Sequence, residues 1–219
     1  MTTILTLSGQ PGSGTTTVAT TLEDRLDATY VNAGTIFRSL ADAEGMSLDE
    51  FSKHVNENPA IDRSIDYQLR DAVDTYLGNT LTAEKPEVAD DVGLALDIDT
   101  DAEYMILESR LAGWITGVDA DLRVWCHAPL DVRCNRLTAD GDGQEDPDEL
   151  VERQNDEAMR YDNWYDIDIT DTSIYDLVVN TARWDAATVA DMIVNAVDSY
   201  DPTVDEGATR THSPFTRGA

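Results

Sequence analysis

An apolar, β-rich run, Thr3 to Ser8 (TILTLS), is joined to a stretch with helical spacing of Val18, Leu22 and Leu26 by the turn Gly9-Gln10-Pro11-Gly12-Ser13-Gly14-Thr15-Thr16. A strand passing through such a turn into a helix is the opening of a parallel α/β sheet, because the returning chain packs that helix over the sheet. Gly9, Gly12 and Gly14 let successive backbone N–H groups wrap an anion at a helix N-terminus, where the dipole favours negative charge. The turn fits the GxxxxGK[ST] phosphate-loop pattern except at the lysine, which is Thr15. Thr16 supplies the hydroxyl for Mg²⁺, and Thr17 follows it into the helix. ATP phosphates with Mg²⁺ are the ligands this loop predicts.

Further along, Thr29 to Val31 reads as a second strand, followed by a helix from about Thr35 to Glu44. SLDE from Ser47 is a capping box opening a helix toward Val55. Ile61 to Leu77 is a further amphipathic helix. The acidic segment from Thr80 to Ala102 has no clear period. Tyr104–Leu107 (YMIL), Leu122–Trp125 (LRVW) and Leu177–Val179 (LVV) have strand length, and helices follow Pro129 and Asp185. This βα alternation predicts a parallel sheet covered on both faces. Ala139 to Asp148 reads as a mobile hinge before a polar helix from Glu149 to about Asp162. The tail after Tyr200 lacks an apolar period and is expected to be disordered.

The chain carries 44 acidic and 15 basic residues, a formal net charge of -29, with lysine only at Lys53 and Lys85. That charge repels nucleic acid and anionic membrane surfaces. With 41% hydrophobic residues in compact blocks the chain nonetheless folds. Uniform acidity resembles proteins of salt-accumulating halophiles, in which molar salt shortens the screening length. No basic leader or membrane-length apolar run is present, so a soluble, cytoplasmic protein is expected. Cys126 and Cys134 have neither disulfide nor zinc spacing and are expected to be reduced, one in a strand and one on a helix.

Against such acidity the arginines stand out. Arg38 lies in AGTIFR, Arg110 follows the third strand in ESRLAGW, and Arg133 and Arg136 share a helix face, as do Arg153 and Arg160. Each is either a phosphate ligand or a surface ion-pair partner. His54, His127 and His212 have no evident partners and read as structural.

GSGTTT at Gly12–Thr17, AGTIFRSLA at Ala33–Ala41, ESRLAGW at Glu108–Trp114 and DTSIYDLVVNTARWD at Asp171–Asp185 together resemble the archaeal branch of the cytidylate kinases, from about Thr3 to Tyr200. The resemblance implies a P-loop NTPase three-layer sandwich with a central parallel sheet, within one domain over residues 1–200. It also implies a small nucleoside-monophosphate-binding region at about 33–102 and a mobile lid at about 133–165, with the tail 201–219 outside the domain. Transfer of the ATP γ-phosphoryl group to CMP or dCMP by a monomer is the implied reaction. Arg38 and Arg110 would bind the CMP phosphate. Arg133, Arg153 and Arg160 would meet the transferring phosphoryl group, and Glu108 would bind Mg²⁺ through water. Some members of that branch also carry GSGTTT in place of the lysine loop. The acidic segment near Thr80 to Ala102 is longer than the family's corresponding connection. Asp62 or Asp66 either accepts the cytosine amino hydrogen or is a solvated helix position. A kinase for UMP or an altered nucleotide, and a catalytically weak nucleotide-binding regulator, are the competing readings.

Overall fold

The computed structural model describes residues 2–58, 60–83, 85–86, 96–140, 146–201, 203–207, 211 and 213–215. Five strands, β1 (Thr3–Gly9), β2 (Ala28–Asn32), β3 (Tyr104–Glu108), β4 (Leu122–His127) and β5 (Leu177–Asn180), form one sheet in the order β2-β3-β1-β4-β5. All pairings are parallel, with Thr3 opposite Tyr104 and Leu5 opposite Leu122. β1 is central and buried on both faces, which is why its sequence is a near-continuous run of β-branched and apolar residues rather than an alternation. Its C-terminal end is Gly9, so the glycine turn leaves the sheet at its middle.

Side-chain alternation along β1 divides the core. Leu5 and Leu7 point with Val124 and Val179 toward α1 (Thr15–Glu23) and α8 (Ala186–Asp198), which supply Val18, Leu22, Val189 and Ile193. Ile4 faces the other way, with Met105, Leu107 and Trp125, toward α2 (Ala33–Ala43), α3 (Leu48–Glu57), α4 (Ala60–Tyr76) and the short α5 (Ala112–Ile115). Leu5 is fully buried. Leu5→Ala would therefore cost about 2–5 kcal/mol, from lost transfer energy plus the cavity left behind. Ser47 caps α3 as its sequence predicts: Glu50 N donates to Ser47 Oγ at 3.3 Å and Ser47 N donates to Glu50 Oε2 at 2.9 Å.

Two more helices, α6 (Leu130–Asp140) and α7 (Pro147–Tyr165), stand beside the C-terminal end of the sheet. α7 opens with a capping box at Asp146 and Pro147 in its first turn, and ends on Asp166 in the left-handed conformation at φ 56°. The helix starts two residues earlier and runs three residues longer than the polar pattern suggests. Of the hinge predicted from Ala139 to Asp148, residues 141–145 lie outside the described residues, as does much of the acidic segment near Thr80 to Ala102, while Ala139 and Asp140 end α6 and Asp146 to Asp148 cap and open α7.

Two buried arginines close the far side of the sheet. Arg70 Nη1 donates to Thr116 O at 3.0 Å and its fork grips Asp74 at 3.0 and 3.1 Å, while Arg123 Nη2 donates to Gly117 O. Thr116 ends α5 and Gly117 opens the 3-10 turn Gly117–Asp119, so both cations add a donor to backbone acceptors buried at that junction. In the tail, Thr211, Ser213 and Phe215 are buried against the body, whereas the absence of apolar period predicts disorder. A single aromatic residue in a polar segment leaves no periodic signal, yet it finds a prepared aromatic site between α4 and α7. Among the described residues no helix is long and apolar enough to cross a membrane, and Cys126 in β4 and Cys134 in α6 are free thiols.

Candidate active site

The glycine turn has the geometry its composition predicts. Gly12 and Gly14 adopt φ 72° and 84°, and Gly14 is the N-cap of α1 without any side-chain cap, so the first-turn N–H groups of Thr15, Thr16 and Thr17 have no side-chain acceptor at the cap. A Cβ on Gly12 would stand 2.6 Å from Arg133 O, and one on Gly9 2.5 Å from Cys126 O. The loop is therefore held closely between β4 and α6. Gln10 and Pro11 form its outer turn, closed by Ser13 N donating to Gln10 O at 3.0 Å. Ser13 is fully buried, and its Oγ finds no hydrogen-bond partner among the described residues.

Thr16 and Glu108, both predicted to serve Mg²⁺, meet directly: Thr16 Oγ1 donates to Glu108 Oε1 at 2.7 Å. Glu108 ends β3 and is buried, and its other oxygen accepts from Tyr30 Oη and Asn32 Nδ2. Burial and the adjacent Glu108 charge push the Tyr30 phenol well above its ordinary range, so it remains a donor. A hydroxyl and an oriented carboxylate are hard oxygen donors. They fit Mg²⁺, which keeps most of its waters and takes few protein ligands. Among the described residues no group of three or more His, Cys, Asp or Glu side chains forms a metal cage.

Cations surround the loop from behind. Arg110 Nη1 donates to Gly9 O and its Nη2 to Glu157 Oε2 of α7 at 2.7 Å. Arg133, read from the sequence as a lid cation, is buried: its Nε donates to Ala128 O at 3.1 Å and its Nη1 to Pro11 O at 3.2 Å and Gln154 Oε1 at 3.1 Å. Burial, and to a smaller degree Arg110, lower its pKa. Arg136 reaches Thr181 Oγ1 at 3.0 Å and Thr181 O at 2.9 Å, and Thr181 Oγ1 donates to Ser13 O. A cavity of about 460 Å³ opens beside Gln10, Arg110 and Arg133, with Trp125 and Ile169 on its apolar wall.

The remaining predicted residues lie apart from this cluster. Arg38 is exposed on α2, its Nη2 3.2 Å from Thr35 Oγ1. Arg153 is exposed on α7, and Arg160, two turns further on, pairs with Asp62 of α4 at 3.4 Å. Neither Asp62 nor Asp66 is a solvated helix position. Burial pushes the Asp62 carboxyl up to about 6 and that of Asp66 up to about 8, with the Asp62 charge adding to the latter shift. Tyr165 Oη donates to Asp66 Oδ2 at 3.0 Å.

Sequence reasoning missed Tyr30, Asn32, Gln154 and Thr181, and weighed Arg136 as a phosphate ligand or a surface ion-pair partner, whereas it bonds Thr181 behind the loop. Three of the four missed residues had a usable signal. Asn32 and Thr181 sit at or just beyond the C-terminal ends of β2 and β5, where ligands gather in open parallel sheets, and Tyr30 precedes Asn32 by one pleat repeat. Gln154 had none.

A phosphate loop leaving the central strand of a β2-β3-β1-β4-β5 parallel sheet, with a threonine–carboxylate pair beneath it and arginines behind it, defines a P-loop NTPase. Two solved structures share the fold: an uncharacterized protein from Eubacterium ventriosum (TM-score 0.53, 16% identity, 90% of this chain and 99% of that one) and a protein from Chloroflexus aurantiacus (TM-score 0.50, 17% identity, 90% and 96%). The profile of the cytidylate kinase-like family matches residues 4–183, and the chain belongs to that family. Proteins named cytidylate kinase are similar over nearly the whole length. That of Haloarcula marismortui is 42% identical over 206 residues, covering 93% of this chain and 94% of the relative. That of Halobacterium salinarum is 38% identical over 208 residues, covering 94% and 95%. That of Pyrococcus horikoshii is 35% identical over 209 residues, covering 94% of each. The haloarchaeal relatives accord with the halophilic reading of the acidic composition.

Proposed function

We propose that this chain is a cytidylate kinase, transferring the γ-phosphoryl group of ATP to CMP or dCMP to give CDP or dCDP. The acceptor is inferred from relatives named for it, and the reaction type from one observation. Arg110 joins the phosphate loop, at Gly9 O, to the α7 carboxylate of Glu157, so a single guanidinium lies between the triphosphate cradle and the helix that would cover it.

In this reading the backbone of Gly9 to Gly14 and the first-turn N–H groups of Thr15, Thr16 and Thr17 hold the β- and γ-phosphates. Thr16 and, through water, Glu108 hold Mg²⁺, which when bound neutralises charge on the phosphate oxygens. Tyr30 and Asn32 keep the Glu108 carboxylate oriented. Arg38 and Arg110 receive the acceptor's phosphate with planar forks suited to paired oxygens. Residues 33–102 form the acceptor side and 133–165 the lid. Closure brings Arg153 and Arg160 toward the γ-phosphoryl group, with Arg133 supporting the loop at Pro11. An acceptor phosphate oxygen then attacks the γ-phosphorus in line and ADP leaves. Positioning and charge neutralisation carry the acceleration, since such a reaction needs little covalent help from protein.

The test is ADP release in molar KCl against a panel of CMP, dCMP, UMP, AMP and GMP. CMP or dCMP should have the highest kcat/KM. A better rate with UMP or a purine would replace the acceptor assignment, and ATP binding without turnover on any acceptor would favour a nucleotide-binding regulator.

A further inference from the structure

Helix α7 carries Arg153, Glu157 and Arg160 but buries only Leu150 and Tyr161 along its whole length. Such a helix has little core of its own: Gln154, Glu157 and Arg160 tie its middle to Arg133, Arg110 and Asp62, and its direction at the C-terminal end depends on what grips it there. At the C-terminal end the grip comes from the tail. Phe215 is buried, its ring edge-to-face with Tyr67 of α4 (centroids 6.1 Å, 89°) and with Tyr165 of α7 (5.8 Å, 68°). Tyr165 in turn donates its hydroxyl to Asp66 of α4. The other end of the tail segment is fixed to the body. Thr211 Oγ1 donates to Gly117 O at 3.2 Å, and Ser213 packs so closely on Gly117 that a Cβ there would stand 3.1 Å from Ser213 N. Gly117 O is also held by the buried Arg123, so this anchor belongs to the rigid part of the fold.

From this geometry we infer that the described tail residues Thr211, Ser213, Pro214 and Phe215 act as a strap between the 3-10 turn and the base of α7, with Phe215 a positioning residue for the arginines on that helix. Edge-to-face aromatic pairs fix ring orientation as well as burying area, so Phe215 sets the direction in which α7 leaves Tyr165. Arg153 lies about 18 Å up the helix from Tyr165, at a rise of about 1.5 Å per residue, so a small tilt at the base is a large displacement at the site. The arginines' role rests on the phosphotransferase reading above; the strap itself does not.

The experiment compares wild type, Phe215→Ala and Phe215→Tyr in molar KCl by amide hydrogen exchange without ligand, and by steady-state kinetics with CMP and ATP. A cavity of about 660 Å³, bordered by Arg63, Trp164 and Phe215, adjoins the ring, and tyrosine keeps the aromatic ring itself. Phe215→Ala should speed exchange about tenfold over residues 160–165 while α8 stays unchanged, a local rather than global opening. kcat should fall about fivefold or more with KM for CMP within about twofold, as expected when lid placement and not acceptor binding is lost. Phe215→Tyr should restore both. Unchanged exchange over 160–165, or an equal rise in every helix, would overturn the strap. If the wild type phosphorylated no CMP, the exchange pattern would still decide it, and the failure would belong to the functional reading.

Discussion

Arg110 holds two partners, Gly9 O and Glu157, and an incoming monophosphate would compete for one of them. Because the guanidinium is about three-quarters buried, removing it should weaken acceptor binding strongly. Arg110→Ala is expected to raise KM for CMP about a hundredfold, with the Kd for ATP within about threefold, as titration calorimetry and initial rates would show. A lowered melting temperature with an unchanged CMP response would make Arg110 a structural ion-pair residue. Asp66 offers a test by pH. Its folded pKa of about 8 lies above the ordinary 3.8, so between those values the folded state binds more protons than the unfolded one. Stability must then fall as pH rises through that window, the reverse of the common carboxylate case. Asp66→Asn keeps an acceptor for Tyr165 and removes the titration. Its unfolding free energy should match the wild type near pH 4 and exceed it by on the order of 5 kcal/mol at pH 8. Parallel pH profiles for the two proteins would contradict the burial of an ionisable Asp66.

Helix α7 shows both the reach and the limit of reading elements from sequence. Its polar pattern and the acids before it announce a helix, and SLDE announces α3, because caps and periodicity are local. The glycine turn was equally plain, since only glycine suits the φ of Gly12 and Gly14. Which residues α7 touches was not legible. The pairs Arg160–Asp62, Arg110–Glu157 and Tyr165–Asp66 join α7 to distant parts of the chain through packing that no local pattern encodes. Scarcity of cations also misleads when used alone: Arg70 is spent on Asp74, Asp119 and the Thr116 carbonyl, and Arg123 on the Gly117 carbonyl, none of them part of the phosphate loop. With Arg160 in its proposed role at the transferring phosphoryl group, Arg160→Ala should lower kcat about a hundredfold or more while KM for ATP changes little. A doubled KM for ATP with kcat intact would place Arg160 outside the transfer step.

A net charge of -29 on 219 residues sets the conditions in which the whole molecule holds together. At about 1 M salt the screening length is about 3 Å, and at 0.1 M about 10 Å, long enough for the acidic surface to repel itself. Reducing KCl over that range should reversibly lower the melting temperature and activity, with ATP and Mg²⁺ partly restoring both by binding the native state. An unchanged melting temperature in dilute buffer would leave the acidity without this explanation. The fate of the γ-phosphoryl group separates a phosphotransferase from a nucleotide-binding regulator. With γ-³²P-labelled ATP, CMP and Mg²⁺ in molar KCl, the label should appear in CDP, in step with ADP formed, and inorganic phosphate should stay low with or without CMP. Label released chiefly as inorganic phosphate, with CMP unchanged, would contradict a phosphotransferase closed over two substrates.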